Sequence, residues 1–177
     1  MPTVPPMVTL AELHVHAPTI AAFVEDKIET TGLCFLATTR ADGWPRISPL
    51  ELSVHDGRIY MGSMPGARKA HDLRRDDRCC LITPLADRDD VGGEGKLFCR
   101  AREVEDLAEY EAVRAVFTER TGYDMGEMGA APMFAFDIEG AAHQRLEGGD
   151  SWRTTSWTPG GGIREFGRSA TGDRVEL

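Results

Sequence analysis

Leu33-Cys34-Phe35-Leu36-Ala37-Thr38-Thr39, Pro45-Arg46-Ile47-Ser48-Pro49-Leu50-Glu51-Leu52-Ser53-Val54 and Arg58-Ile59-Tyr60-Met61-Gly62 follow one another with little between them but Ala41-Asp42-Gly43 and His55-Asp56-Gly57. Asp-Gly turns between apolar or alternating runs are the strongest short-range sign of β-hairpins. In the middle run, alternation sends Arg46, Ser48, Leu50 and Leu52 to one face and Ile47 with Glu51 to the other. Three consecutive antiparallel strands are therefore expected.

Outward from this block, residues 1–17 hold Pro, Val and Thr without a clear period and read as an extended arm. Ile20, Phe23, Val24 and Ile28 share one helical face, with Thr19 or its neighbour as cap and Gly32 as the stop. After the third strand, Ala67 to Arg75 reads as a short helix and Cys79 to Thr83 as a strand. Residues 84–95 form a Pro-, Asp- and Gly-rich loop, and Lys96 to Val104 a further strand. Leu107 to Thr121 is a helix with Ala108, Ala112, Ala115 and Val116 on its inner side. An irregular connection over 122–132 leads to a strand at Met133 to Ile138. Ser151 to Thr158 and Ile163 to Gly167 form a hairpin around Pro159-Gly160-Gly161-Gly162. Six or seven closely spaced strands without βαβ alternation predict a mainly β, antiparallel barrel with peripheral helices. One domain over 18–170 and a frayed tail over 171–177 complete the expectation.

The 177 residues suffice for a core, and 41% hydrophobic with 28% charged residues is ordinary for a globular domain. A formal net charge of -9 argues against nucleic acid or an anionic membrane as the main partner. Cys34, Cys79, Cys80 and Cys99 show no framework spacing and read as reduced, buried thiols, which favours a cytoplasmic setting. No run approaches membrane-spanning length, and the first cation, Lys27, comes too late for the charged start of a secretory signal.

Against this acidic background stands Gly62-Ser63-Met64-Pro65-Gly66-Ala67-Arg68-Lys69. A strand end, a small-residue turn with a hydroxyl, and adjacent cations at a helix start suit a phosphate. The plain alternative is a solvated helix face. Arg74, Arg75 and Arg78 lie at the helix C-terminus, where cations offset the dipole, and read as structural. Arg68 and Lys69 lie at the opposite end, where only an anion would make them favourable. Arg46 and Ser48 share one face of the preceding strand and add a cation and a hydroxyl.

Other patterns carry less. His14-Val15-His16 lacks a third metal ligand, and Asp87, Asp89 and Asp90 lack calcium-loop spacing, so no metal is expected. No GxGxxG, P-loop or HExxH occurs. Trp157 near a Gly-rich turn is read first as a core or interface residue.

Leu36-Ala37-Thr38 to Pro45-Arg46-Ile47-Ser48-Pro49, Asp56-Gly57-Arg58-Ile59-Tyr60-Met61-Gly62 and Ala67-Arg68-Lys69-Ala70-His71-Asp72-Leu73-Arg74-Arg75-Asp76 together resemble the pyridoxamine 5'-phosphate oxidase-like flavoproteins, the FMN-binding split barrels. The likeness is dense from Leu36 to Thr83 and resumes weakly at Trp157 to Arg164. It implies a six-stranded split β-barrel, a homodimer, and one FMN in each of two interface clefts. Arg68 and Lys69 would hold the phosphate with Arg46, Gly62 and Ser63. The flavin ring would lie along Ile47 and Ser48, and Trp157 would come from the second subunit. Ala67 replaces the serine of the vitamin oxidases, and their Arg-x-His motif is absent from Ile163 to Arg168, so pyridoxine phosphate is not the expected substrate. A flavin-dependent oxidoreductase on a small molecule is the leading expectation. Its rivals are a deazaflavin-dependent reductase and a non-catalytic flavin- or haem-binding protein with His14, His16 or His143 as axial ligand. A cleft emptied of cofactor and adapted to other work is a further rival.

Overall fold

A computed structural model describes residues 7–85, 92–147, 151–168 and 172–177. In chain order it contains α1 (Leu10–His16), α2 (Pro18–Thr31), β1 (Leu33–Thr39), β2 (Pro45–Glu51), β3 (Ser53–His55), β4 (Arg58–Gly62), α3 (Arg68–Arg75) and β5 (Arg78–Thr83). Then come β6 (Glu94–Glu103), α4 (Leu107–Thr121), β7 (Met133–Glu147), β8 (Ser151–Thr158), β9 (Gly162–Arg168) and β10 (Arg174–Glu176).

The antiparallel strands run β2-β1-β5-β6-β7, and the first half of β7 also pairs with β4, which pairs with β3. Since β3 continues β2 across Leu52, this ring of pairings closes on itself. The described residues form ten strands where six or seven are expected. β1 to β7 make a barrel of six strands when β2 and β3 are counted as one bent strand, and β8, β9 and β10 extend the sheet beyond it. The bend is visible in burial: Leu52 and Ser53 are both buried, so strict alternation fails there.

β4 and β7 divide two cores. Ile59, Met61, Phe134, Phe136 and Ile138 face the main interior with Leu10, Leu13, Ile20, Val24 and Ile28 of the first two helices. Tyr60, Met133 and Ala135 face a smaller cluster with Tyr110 and Val113 of α4. The inner side of α4 is therefore Tyr110, Val113 and the partly buried Phe117, not Ala108, Ala112, Ala115 and Val116. Larger side chains win the buried positions because they remove more apolar area from water.

Both chain ends correct the sequence reading. The arm over 1–17 contains α1, opened by a capping box between Thr9 and Glu12, with Leu10 and Leu13 in the core. α2 begins at Pro18 with Ala17, not Thr19, at its N-cap, and ends at Gly32 with φ +66°. Of the tail over 171–177, the described residues 172–177 are tied down rather than frayed: β10 pairs with β9, and Arg164 makes two bonds to Glu176. The loop reading of Asp87, Asp89 and Asp90 lies outside the described residues, whereas Glu94 and Gly95 open β6. All four cysteines are free, and burial pushes their thiols up, Cys34 to about 12.

His143 of β7 is buried against Phe23, with ring centroids 3.9 Å apart. Its Nε2 donates to the Gly92 carbonyl at 2.8 Å, and Nδ1 has no partner. Burial, helped by the charges of Arg145 and Lys27, lowers its pKa. The folded chain thus resists protonation that the unfolded chain accepts. Stability is expected to be full above the unfolded value of about 6.5 and to fall as pH drops below it, until the lowered folded value is passed. Melting temperatures from pH 8 to 5 should fall more for the wild type than for His143→Gln; equal slopes would contradict this.

Candidate functional site

β4 ends at Gly62, and the chain then turns: the Ser63 amide donates to the Pro132 carbonyl at 2.9 Å, and the Ala67 amide to the Met64 carbonyl at 3.1 Å. Gly66 adopts φ +70°, a conformation that favours glycine. α3 then starts without any side-chain cap and without an acidic residue in its first turn. By contrast, Thr9 caps α1 and Asp106 caps α4. In place of a cap, the first turn of α3 carries Arg68 and Lys69.

Among the described residues neither of these cations has a carboxylate partner, although most other arginines do. Arg68 is exposed. Lys69 is half-buried, and loss of solvent lowers its pKa. Two adjacent, unneutralised cations at the positive end of a helix form an arrangement that only an anion relieves.

Arg68, His71, Asp72 and Arg75 lie at helical spacing along one face of α3 and form one wall of a cleft of about 330 Å³. Arg40, Ala41 and Asp42 of the β1–β2 turn and Arg46 of β2 form the other wall. Four arginines face two aspartates here, a formal surplus of two positive charges. Asp72 is the hub: its side chain is 5% exposed and accepts from Arg46 Nε at 2.6 Å, Thr38 Oγ1 at 3.0 Å and Arg75 at 3.4 Å. Burial alone would raise the Asp72 pKa, but the Arg46 and Thr38 bonds and the Arg46 charge hold it below the ordinary carboxylate value.

The candidates from sequence separate into groups. Arg46 and Arg68 meet in the cleft, and Lys69 follows Arg68 but is not part of its lining. Arg46 is neither a free third cation nor a solvent-reaching edge residue, because Asp72 holds it. Ser48 is half-buried on the same strand face as Arg46, and Ile47 points outward, 65% exposed. Ser63 is buried and its hydroxyl has no partner, an orphaned polar atom beside the turn. Gly62 has a packing reason: a Cβ there would lie 2.4 Å from Met125 Sδ. Trp157 is a core residue of its own chain, 4% exposed and stacked on His16 at 5.6 Å, so its ring is not presented to a second subunit. Arg74 bonds Glu103 and Arg78 bonds Asp76, as structural cations should. Arg75 also bonds the Thr39 carbonyl, yet it lines the cleft. Sequence reasoning missed the place of Arg40, His71, Asp72 and Arg75; for the last three, their spacing from Arg68 was the readable signal.

A model of the family described as pyridoxamine 5'-phosphate oxidase matches residues 20–145, which include every residue of the cleft. The chain belongs to this family. Solved structures share its fold. A Clostridium acetobutylicum member of the pyridoxinephosphate oxidase family, related to general stress protein 26, is 14% identical with a TM-score of 0.54 over 78% of this chain and 95% of its own. A haem-binding protein from Mycobacterium smegmatis is 18% identical with a TM-score of 0.59, covering 78% of this chain and 58% of its own. HutZ, the haem storage protein from Vibrio cholerae, is 15% identical with a TM-score of 0.56, covering 70% and 90%. No curated protein matches the sequence.

His14 Nε2 lies 2.7 Å from Glu25 Oε2, His16 stacks on Trp157, and His143 is buried with Nε2 bonded to Gly92. His71 opens onto the cleft. No helix of the described residues is long and apolar enough to cross a membrane.

Proposed function

We propose that this family member is a flavin-dependent oxidoreductase for a small organic molecule, working as a cytoplasmic homodimer. The observation that carries the reading is the adjacent pair Arg68 and Lys69, unneutralised at an uncapped helix start in a chain of net charge -9. The donor set suits FMN: the two cations and Arg46 for the phosphate, and the orphaned Ser63 hydroxyl as a further donor. Ser48 and the backbone of Ile47 would flank the ring. When bound, the flavin supplies hydride transfer, and the protein supplies position and electrostatics. A deazaflavin coenzyme shares the phosphate chemistry and is the alternative cofactor. A haem carrier is the second reading, favoured by the haem proteins among the structural neighbours. Against it, His14, His16 and His143 each have another engagement. The test of activity is anaerobic mixing of the flavin-loaded protein with NADPH: bleaching of the flavin absorbance supports the enzyme, and an unchanged spectrum with this donor and with other reduced donors rejects it.

The dimer reading is supported by the outer face of the barrel. Cross-strand pairing lines up Ile47, Ala37, Cys80 and Phe98 in one row, and Pro49, Phe35 and Ile82 in the next. Phe98 is 49% exposed and Phe35 38%, so a contiguous apolar face lies on β2, β1, β5 and β6. Such patches mark interfaces. Phe35→Glu with Phe98→Glu should convert a dimer to a folded monomer in light scattering, since a charge buried in an interface without a partner is strongly unfavourable. A wild-type monomer, or a mutant dimer, would contradict this.

A further inference from the structure

The sheet beyond the barrel carries a second cleft, of about 230 Å³, that shares no residue with the α3 cleft. Its walls are Gln144 of β7, Trp152 and Thr154 of β8, Phe166 and Arg168 of β9, and Arg174 of β10. Cross-strand pairing brings these side chains together. Gln144 lies opposite Thr154, Thr154 opposite Phe166, and Arg168 opposite Arg174, all on the face turned away from His143 and Trp157. Two arginines directly opposite each other on adjacent strands repel. No carboxylate among the described residues lines the cleft, although the chain has a net charge of -9. Glu176, opposite Phe166 on the same face, is held by two bonds from Arg164. Arg174 is fixed over the Phe166 ring, its guanidinium carbon 3.8 Å from the centroid. Such stacking uses the face of the guanidinium and leaves its N–H edge to donate. Arg168 gives Nη1 to the Gly172 carbonyl at 2.8 Å, and a guanidinium has further N–H groups. Trp152 is half-buried and leaves part of its indole at the same wall.

We propose that this cleft is a second binding site, and that its ligand is a small aromatic carboxylate. The fork of Arg174, with Arg168 opposite it, matches the two oxygens of a planar carboxylate. The arene lies against Trp152, and Gln144 and Thr154 take its polar substituents. The volume suits a single ring, being below the range of about 300–1,000 Å³ that drug-sized ligands occupy. The carboxylate offsets what the fold alone leaves unfavourable, two like charges facing each other between β9 and β10. Neither Arg68 nor Lys69 takes part, so this site and the flavin reading can each fail without the other.

The test is calorimetric titration of the full chain with benzoate, with acetate, which lacks the ring, and with benzamide, which lacks the charge. Benzoate should bind about tenfold tighter than either, within the range that one stacked ring or one charged hydrogen bond supplies. Arg168→Leu and Arg174→Leu should each weaken benzoate by about ten- to a hundredfold and leave FMN affinity unchanged. Arg174→Lys, which keeps the charge without the fork, should retain part of the binding, and Trp152→Leu should remove the advantage of benzoate over acetate. A thermal melt of each variant separates loss of the site from loss of the fold, and Arg174→Lys serves where leucine disturbs β10. Benzoate bound no tighter than acetate and benzamide overturns the proposal. So does benzoate binding that survives both leucine variants, or that is lost with Arg68→Ala and Lys69→Ala, which would place it in the α3 cleft. A folded Arg168→Leu or Arg174→Leu protein of changed oligomeric mass makes these arginines interface contacts and also overturns it.

Discussion

Alanine at both Arg68 and Lys69 is expected to weaken FMN binding by about two to four orders of magnitude. A hydrogen bond to a charged group contributes about 1.5–3 kcal/mol, and each 1.4 kcal/mol is tenfold in affinity. The stability of the ligand-free protein should move the other way. Both cations sit at the positive end of α3 without a carboxylate partner among the described residues, where a like charge is unfavourable by about 0.3–1 kcal/mol. The double variant should therefore melt at the same temperature or slightly higher when empty, yet bind poorly. Calorimetric titration and a thermal melt of the same preparations check both signs. A variant that melts lower and binds normally would return Arg68 and Lys69 to an ordinary helix surface.

Asp72→Ala should act in the opposite sense. Its side chain is 5% exposed and ties together Arg46, Thr38 and Arg75. Removing one partner of a buried ion pair costs about 3–5 kcal/mol. Arg46 is a quarter exposed, so water recovers part of its charge and the lower end applies. For a chain of this size about 3 kcal/mol lowers the melting temperature by about 6–12 °C. Because the folded Asp72 pKa is held below its unfolded value, the wild-type contribution is present above about pH 4 and is lost as pH falls through the lowered folded value. The wild type and Asp72→Asn should thus converge in stability in strong acid. Anion affinity should rise in Asp72→Asn, because the cleft loses a negative charge and Arg46 is released. A fall in affinity would make Asp72 part of the ligand contact instead.

Much of the barrel was legible because its turns are chemically marked. Gly32, Gly43 and Gly57 all adopt positive φ, as their positions after a helix and in two hairpins demand. Thr121 and Gly122 likewise bound α4 as read. Where tertiary packing decides, the sequence misled. Nothing local marks the bend at Leu52, which exists because β4 must be reached from the edge of β2. β7 runs on to Glu147 through Gly140 because β6 and β8 flank it there, and Gly140 leaves room for Phe98. The capping box at Thr9 and Glu12 is a local sequence signal for α1, masked by the Pro-, Val- and Thr-rich composition around it. In the site, Arg68 and Lys69 stood out by charge and position. The pairing of Arg46 with Asp72, the filling of Gly62 by Met125 and the burial of Trp157 are long-range contacts that one sequence does not display.

The measurement closest to the central claim is the visible spectrum and mass of the chromophore that co-purifies with the protein, followed by titration of the stripped protein with FMN, the deazaflavin coenzyme and haemin. A flavin or deazaflavin spectrum, recovered on adding that cofactor and lost with Arg68→Ala and Lys69→Ala, is the expected result. A Soret band restored by haemin, with no uptake of either flavin, would contradict it.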